Sequence, residues 1–214
     1  MVGDGVYPLS EAARYAGVSP STVRSWFKPR SDGAGNEPVF QSDYEVIDGD
    51  YAIRFLNLIE IYVSRFFKNE LVNTTVIRRA HQILQNELHT PHPFAHEQLG
   101  TAGKRILRKQ ADSSLVDVIS KQHFFGQMLL DTIKYSPATQ LAVAWNIAPG
   151  ISISAGISYG KPVVKQTGVT TFVVANQFRA NGRSAPIVAK LFDLSESDVL
   201  NAVRFEDGLK KRAA

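Results

Sequence analysis

Cysteine is missing from the whole chain. Disulfides, thiol nucleophiles and thiolate metal sites are thereby excluded, and a cytoplasmic setting is the simplest expectation. Long apolar runs are missing too. No stretch approaches the roughly 20 residues that a helical membrane span needs, so no membrane partner is expected. The opening MVGDGVYPLSEAA has neither the basic start nor the apolar run of a secretory signal. One charge sign is locally absent: residues 31–50 carry six Asp/Glu and no Lys or Arg. Residues 1–30 instead hold four bases against two acids, and residues 51–109 hold nine against four. Phosphate contacts are expected from those two basic segments, because DNA would repel the acidic stretch between them. The net charge of +4 is compatible with nucleic acid without demanding it. An apolar fraction of 44% is enough to build a packed core.

Catalytic patterns are equally scarce. No Ser/His/Asp order and no closely spaced carboxylate pair stands out, so the chain is not expected to be an enzyme. GISYGK, at 156–161, is one residue too short between its glycines for a phosphate loop. Pro162 also stands where a Ser or Thr would hold magnesium. His89, His92 and His96 have a metal-like spacing. Pro91 and Pro93 interrupt the helix that would bring them to one face, so neither metal nor cofactor is expected.

What is present begins with two short helices. Leu9 to Tyr15 has helical patterning, with Ser10 as its N-cap and Gly17 as its left-handed stop. A second helix starts at Ser19, with Pro20 at the first helical position, and runs to Phe27 before Pro29 ends it. Ala12, Ala13, Ala16, Val18, Val23 and Trp26 supply a small interface that lets the helices approach closely. The outward side offers Ser21, Thr22, Arg24 and Ser25, with Lys28 behind. Arginine can read guanine bidentately, hydroxyls can bind phosphates or bases, and the helix start at Ser19–Ser21 favours a phosphate. The pair therefore predicts a DNA-binding helix-turn-helix with Ser19, Ser21, Thr22, Arg24, Ser25 and Lys28 at the interface.

Further along, SDGAG, the apolar pair Val39–Phe40 and EVIDGD predict a wing-like hairpin. AIRFLNLIEIYVSRFF has apolar residues at 55, 59, 62 and 66, and again at 56, 63 and 67. So wide a stripe predicts a buried helix, or one that also meets a second subunit; the dimer interface is expected at 53–67. Asn73 and Thr74 cap a helix with Val76, Ile77, Ala80, Ile83, Leu84 and Leu88 on one face, and with Arg78 and Arg79 off it. A basic strand-like piece, Lys104–Lys109, follows, and polar QADSS at 110–114 marks a boundary. Residues 115–135 have helical patterning with Gly126 as a weak point, and LAVAW at 141–145 suits a strand. From 150 the chain turns to glycine, proline and β-branched residues, and the last 40 residues are helical again. The expectation is a mainly α fold with short β hairpins. It divides into 1–112, a connecting 113–149, and a small helical module at 150–214.

That module holds a second helix-turn-helix pattern. In SAPIVAKLFDLSESDVLNAVRF, Ser184 and Pro186 open one helix. Ser195 caps the next, with Asp198 as its capping-box partner. Ile187, Val188, Leu191, Val199, Leu200 and Val203 are expected on the shared face. Glu196 and Asp198 at the helix start oppose phosphate, which predicts a structural or protein-binding unit.

Two resemblances fit these halves. YPLSEAARYAGVSPSTVRSWFK, followed by a wing and two further helices, resembles MerR-type winged helix-turn-helix regulators over roughly residues 6–107. ISYGKPVVKQTGVTTFVVANQFRANGRSAPIVAKLFDLSESDVLNAVRFE resembles the C-terminal module of a VapB-like antitoxin family, matching at Gly160, Pro162, Val163, Val164, Thr167, Val169 and Gly182. Family members usually carry an arginine where this chain has Gly168. The resemblance implies a type II antitoxin that binds a PIN-like ribonuclease toxin and represses its own operon by binding DNA as a homodimer. Arg179, Arg183 and Arg204 are then candidates for reaching the toxin's metal-binding carboxylates. The alternative is a MerR-like transcriptional regulator whose C-terminal half senses a small molecule or a protein.

Overall fold

The computed structural model describes residues 5–29, 37–42, 44, 50–69, 73–99 and 132–212. Seven helices and two small sheets occur among the described residues, so the chain is mainly α with short β elements. Most of the expected wing, the basic piece Lys104–Lys109, the boundary at 110–114 and the expected helix over 115–131 lie outside them. The chain divides into two compact units, residues 7–143, and residues 144–214 together with 1–6.

The first unit opens at Tyr7, within β1 (Val6–Pro8), which pairs with β2 (Ala52–Arg54) and runs straight into α1 (Leu9–Ala16). Ser10 is therefore inside the helix. Pro8 is its cap and makes no side-chain cap bond. The strand delivers the chain directly into Leu9, whose burial fixes the first turn two residues earlier than a cap at Ser10 would. Leu9, Ala12, Ala13, Tyr15 and Ala16 are buried, and α1 packs against both α2 (Pro20–Phe27) and α3 (Phe55–Asn69). Alanines on the buried face keep those approaches short. Gly17 ends α1 at φ 68°, and a Cβ there would stand 2.7 Å from Nη1 of Arg65. The same Nη1 donates to the Ala16 carbonyl at 3.2 Å, tying α3 to the end of α1.

The stretch predicted as one helix over 53–67 begins instead as β2, and α3 starts at Phe55. Phe55, Leu58, Ile59, Ile61, Val63 and Phe67 are buried within the single chain, while Tyr62 and Phe66 are half-buried. The next helix, α4 (Thr74–Leu88), is capped as expected: the Asn73 side chain accepts from the Thr75 N–H at 2.9 Å. Its buried stripe is rotated from the expected one. Ile77, Arg78, Ala80, His81 and Leu84 are inside, Ile83 and Leu88 are only half-buried, and Arg79 is exposed. Arg78 thus departs from the prediction, and His81 joins the interior without having been foreseen. After a 3-10 turn at Pro93–Ala95, the next described element is β3 (Ile133–Tyr135). That corrects the C-terminal end of the helix expected over 115–135. Ile133 is buried and Lys134 exposed, the alternation of a strand rather than a helix.

β4 (Ala142–Ala148) carries the chain into the second unit and continues the sheet in the order β3-β4-β5-β6. β4 pairs antiparallel with β5 (Ile151–Ser154), Trp145 opposite Ile153, with an irregularity between Trp145 and Ala148. β5 pairs antiparallel with β6 (Val163–Val164). Three helices follow: α5 (Thr171–Ala180), α6 (Ala185–Phe192) and α7 (Glu196–Lys211). Ile151, Val164, Val174, Ala185, Val188, Ala189, Val199 and Ala202 form their common core. Buried Thr171 donates its hydroxyl to the Glu206 carboxylate, joining the start of α5 to α7.

The capping box predicted at Ser195 is present in both directions. Its hydroxyl accepts from the Asp198 N–H at 3.1 Å, and the Asp198 carboxylate accepts from the Ser195 N–H at 3.3 Å. The predicted shared face is only half right. Val188 and Val199 are buried, but Ile187, Leu191 and Leu200 are 53%, 58% and 36% exposed. Alanine and valine at 185, 188 and 189 make the closer interface, which turns the i, i+4 pair Ile187–Leu191 outward.

Candidate functional site

The residues predicted to meet DNA lie together on and just after α2, because Pro20 starts that helix and Ser19 caps it. The Ser19 hydroxyl accepts from the Thr22 N–H at 3.2 Å and stands 3.0 Å from the Ser21 hydroxyl and 2.8 Å from that of Thr22. Ser25 donates its hydroxyl proton to the Thr22 carbonyl at 2.7 Å. In that rotamer its oxygen can only accept, which suits a base amino group better than a phosphate. Val23, Trp26 and Phe27 face inward, Trp26 meeting Phe40 edge-on with ring centroids 5.9 Å apart. Phe40 and Val39 also take the N–H-to-carbonyl link back to Trp26, at 3.1 and 2.8 Å. Their burial fixes the inner side of α2 and leaves Ser21 and Ser25 exposed, Thr22 and Arg24 half-buried, and Lys28 exposed beyond the helix end.

Arg24 does not point into empty solvent. Its Nη2 lies 3.7 Å from the Asp50 carboxylate, and both groups are well exposed. Such a pair contributes at most about 1 kcal/mol to stability, and it holds an acid beside the arginine expected to read bases.

A second cluster in this unit escaped sequence reasoning. Glu60 of α3 is 1% exposed. One of its carboxylate oxygens lies 2.8 Å from Nε2 of His81, and the other lies 3.1 Å from Nδ1 of His92. Burial pushes the Glu60 carboxyl up, but the charges and hydrogen bonds of His81 and His92 outweigh it and hold it below the ordinary carboxylate range. His81 also packs edge-on between Phe40 and Phe94, at 5.3 and 5.0 Å. The cluster thus joins α3, α4 and the turn at Pro93 to the Phe40 segment that backs α2. One signal was available in the sequence: a lone acid inside the apolar run FLNLIEIYV. His92 belongs to this cluster, His89 is exposed in the left-handed region at φ 52°, and the His96 ring accepts from the Gln98 N–H at 3.0 Å. The three histidines are not brought together. Among the described residues no group of three His, Asp or Glu is arranged to hold a metal ion.

In the second unit the three arginines expected at a protein partner are spread out. Nη2 of Arg179 bridges to Asp207 at 2.7 Å, and its Nη1 donates to Asn176 at 3.2 Å. Arg204 donates to Asn201 one turn earlier on α7, at 3.2 Å. Arg183 is exposed at φ 61° in the link between α5 and α6.

No family model matches the sequence, and no curated protein is similar to it. Among solved structures, the X-ray crystal structure of Rv2018 from Mycobacterium tuberculosis is similar, with a TM-score of 0.72 at 21% sequence identity. The match covers 92% of this chain and 96% of that one, a likeness of fold along almost the full length of both.

Proposed function

We propose that this chain is the antitoxin of a type II toxin–antitoxin pair. In this reading α1 and α2 form the helix-turn-helix of a MerR-like winged module that binds operator DNA. The second unit holds a PIN-like ribonuclease toxin. The observation that carries the DNA half is the outward row on α2: exposed Ser21 and Ser25 with half-buried Arg24, and exposed Lys28 beyond, backed by the buried Val23, Trp26 and Phe27. The toxin half rests on the resemblance of residues 157–206 to the VapB-like module. A homodimer reading two half-sites completes the proposal.

Gel shifts on the DNA upstream of the chain's own reading frame test the first half. Arg24→Ala is expected to weaken specific binding by about 1–3 kcal/mol, and an unchanged shift removes Arg24 from the reading set. Asp50→Asn, which releases Arg24 from its acidic neighbour, is expected to act in the opposite direction. Co-expression with the adjacent reading frame tests the second half. If that neighbour neither poisons cells alone nor co-purifies with this chain, the antitoxin reading fails.

A further inference from the structure

Between β5 and β6 the backbone does something costly. Ser158, Tyr159 and Gly160 have φ of 47°, 55° and 78° in succession, so three consecutive residues occupy the left-handed region. Only glycine enters that region freely, yet the central residue is a tyrosine whose side chain is 86% exposed. Burial therefore does not compensate for the strain at Tyr159. The turn is nonetheless well fastened. Gly160 N–H donates to the Ile157 carbonyl at 2.9 Å, and Lys161 N–H donates to that of Ser158 at 3.0 Å. The Ser158 hydroxyl donates to the Gly168 carbonyl at 2.8 Å, joining this turn to a second one over 164–169. That second turn is closed by Val164 N–H to the Val169 carbonyl at 2.9 Å, and it also contains positive φ, at Gln166 and Gly168.

The two joined turns present Ile157, Tyr159, Lys161 and Lys165 to solvent. They sit in a stretch of one charge sign, since residues 132–192 contain six Lys/Arg and no Asp or Glu. The hydrogen bonds of the two turns fix the backbone under Tyr159 before contact, which lowers the ordering cost of binding and suits an aromatic interface anchor. Strained backbone carrying an exposed side chain concentrates at such positions. Exposed Ile157, two residues before Tyr159, adds apolar area that stacking on a nucleobase would not use, which favours a protein pocket over a single nucleic-acid strand. The exposed lysines of the turns, Lys161 and Lys165, favour a partner of negative surface.

We propose that this pair of turns anchors the chain to an acidic protein surface. Tyr159 enters an apolar pocket of the partner, and Lys161 and Lys165 pair with carboxylates at its rim. The inference rests on the toxin-binding reading above, in which the partner is a nuclease with carboxylates at its metal site.

The test uses the full chain and the product of the adjacent reading frame, with affinity and melting temperature measured together. Tyr159→Gly places the residue best suited to φ 55° at the strained position, so its melting temperature is expected at or above that of the unaltered chain. Its affinity for the partner is expected to fall about 30-fold or more. Reversing both lysines, as Lys161→Glu with Lys165→Glu, is expected to slow association and to reduce its salt dependence. Should Tyr159→Gly lower the melting temperature, Tyr159→Asn, which also tolerates this backbone, replaces it in the affinity measurement. Partner binding by the glycine variant at the original affinity overturns the anchor and leaves the toxin reading standing. Failure of the unaltered chain to bind the neighbour's product overturns both. If Tyr159→Gly instead loses binding to a single-stranded oligonucleotide while holding the protein partner, the turn serves nucleic acid and the inference falls.

Discussion

The helix pairs α1–α2 and α6–α7 follow one local plan. Each opens with an eight-residue helix, turns through a left-handed residue, and restarts on a serine whose hydroxyl takes the N–H three residues ahead. The left-handed residue is Gly17 at φ 68° in the first pair and Asp193 at φ 54° in the second. Their surfaces differ. In the first pair the apolar residues are turned inward, and α2 has no acid in its first turn. In the second, Ile187 and Leu191 face outward, and α7 opens with Glu196 and Asp198. Caps and turns therefore fix the pair as a local fold. What the pair offers to a partner is decided separately, by which residues of the first helix are small enough to form the close interface.

The largest difference expected between the two units concerns Glu60. The first pair is backed by a buried ionised carboxylate, whereas the core behind the second is apolar. Replacing Glu60 by Ala strands two buried imidazoles and is expected to cost about 3–5 kcal/mol, read as a lower denaturant midpoint. The same group gives the first unit an acid sensitivity. Because its folded pKa lies below the unfolded one, its stabilisation is complete above the ordinary glutamate range. It is then lost as the pH falls below that range, through the folded pKa. Amide exchange followed by NMR at decreasing pH should show protection failing on α3 and α4 and should lose this step in Glu60→Gln. Opening of α6 and α7 first would break the contrast.

The two turns are next in size. Gly17→Ala forces a Cβ into a left-handed backbone and against Arg65, and is expected to cost about 1–2 kcal/mol in thermal unfolding. Asp193→Gly, at the equivalent position, is expected to stabilise by about 0.5–1 kcal/mol instead. Equal signs for the two would mean that the turns are not equivalent. The smallest contrast lies in the caps. Ser19→Ala and Ser195→Ala are each expected to cost about 0.5–2 kcal/mol, with Ser195 the larger because its hydroxyl also donates to the Asp198 carboxylate, at 2.6 Å. A larger loss at Ser19 would give that residue a role beyond capping.

Much of this was legible in the sequence where the signal is local. Gly17, Ser19 with Pro20, Asn73, and Ser195 with Asp198 each announced a helix boundary through the chemistry of its own few residues. What was not legible depends on contacts distant in sequence. Ser10 has the chemistry of a cap, but pairing of β1 with β2 starts α1 two residues earlier than that cap would. Ile53 and Arg54 run without a break into the apolar stretch of α3, yet that pairing holds them extended. Ile187 and Leu191 repeat at helical spacing, but periodicity marks a face without saying whether it turns toward the core. The buried Glu60 depended on imidazoles 21 and 32 residues away, beyond the reach of any local pattern. For the candidate DNA face, residue types were readable from the chain, whereas the Arg24–Asp50 pair and the inward hydroxyl of Ser25 needed coordinates.

Glu60 has one more consequence. An ionised carboxylate can only accept, so each ring nitrogen that meets it must carry a hydrogen. For His81 that nitrogen is Nε2, and for His92 it is Nδ1. Whenever the two rings are neutral, one glutamate therefore holds them in opposite tautomers. His81 keeps a lone pair on Nδ1 and His92 keeps one on Nε2. The direction in which each imidazole can give or take a proton is thus written into the packing of α3 against α4 and the turn at Pro93.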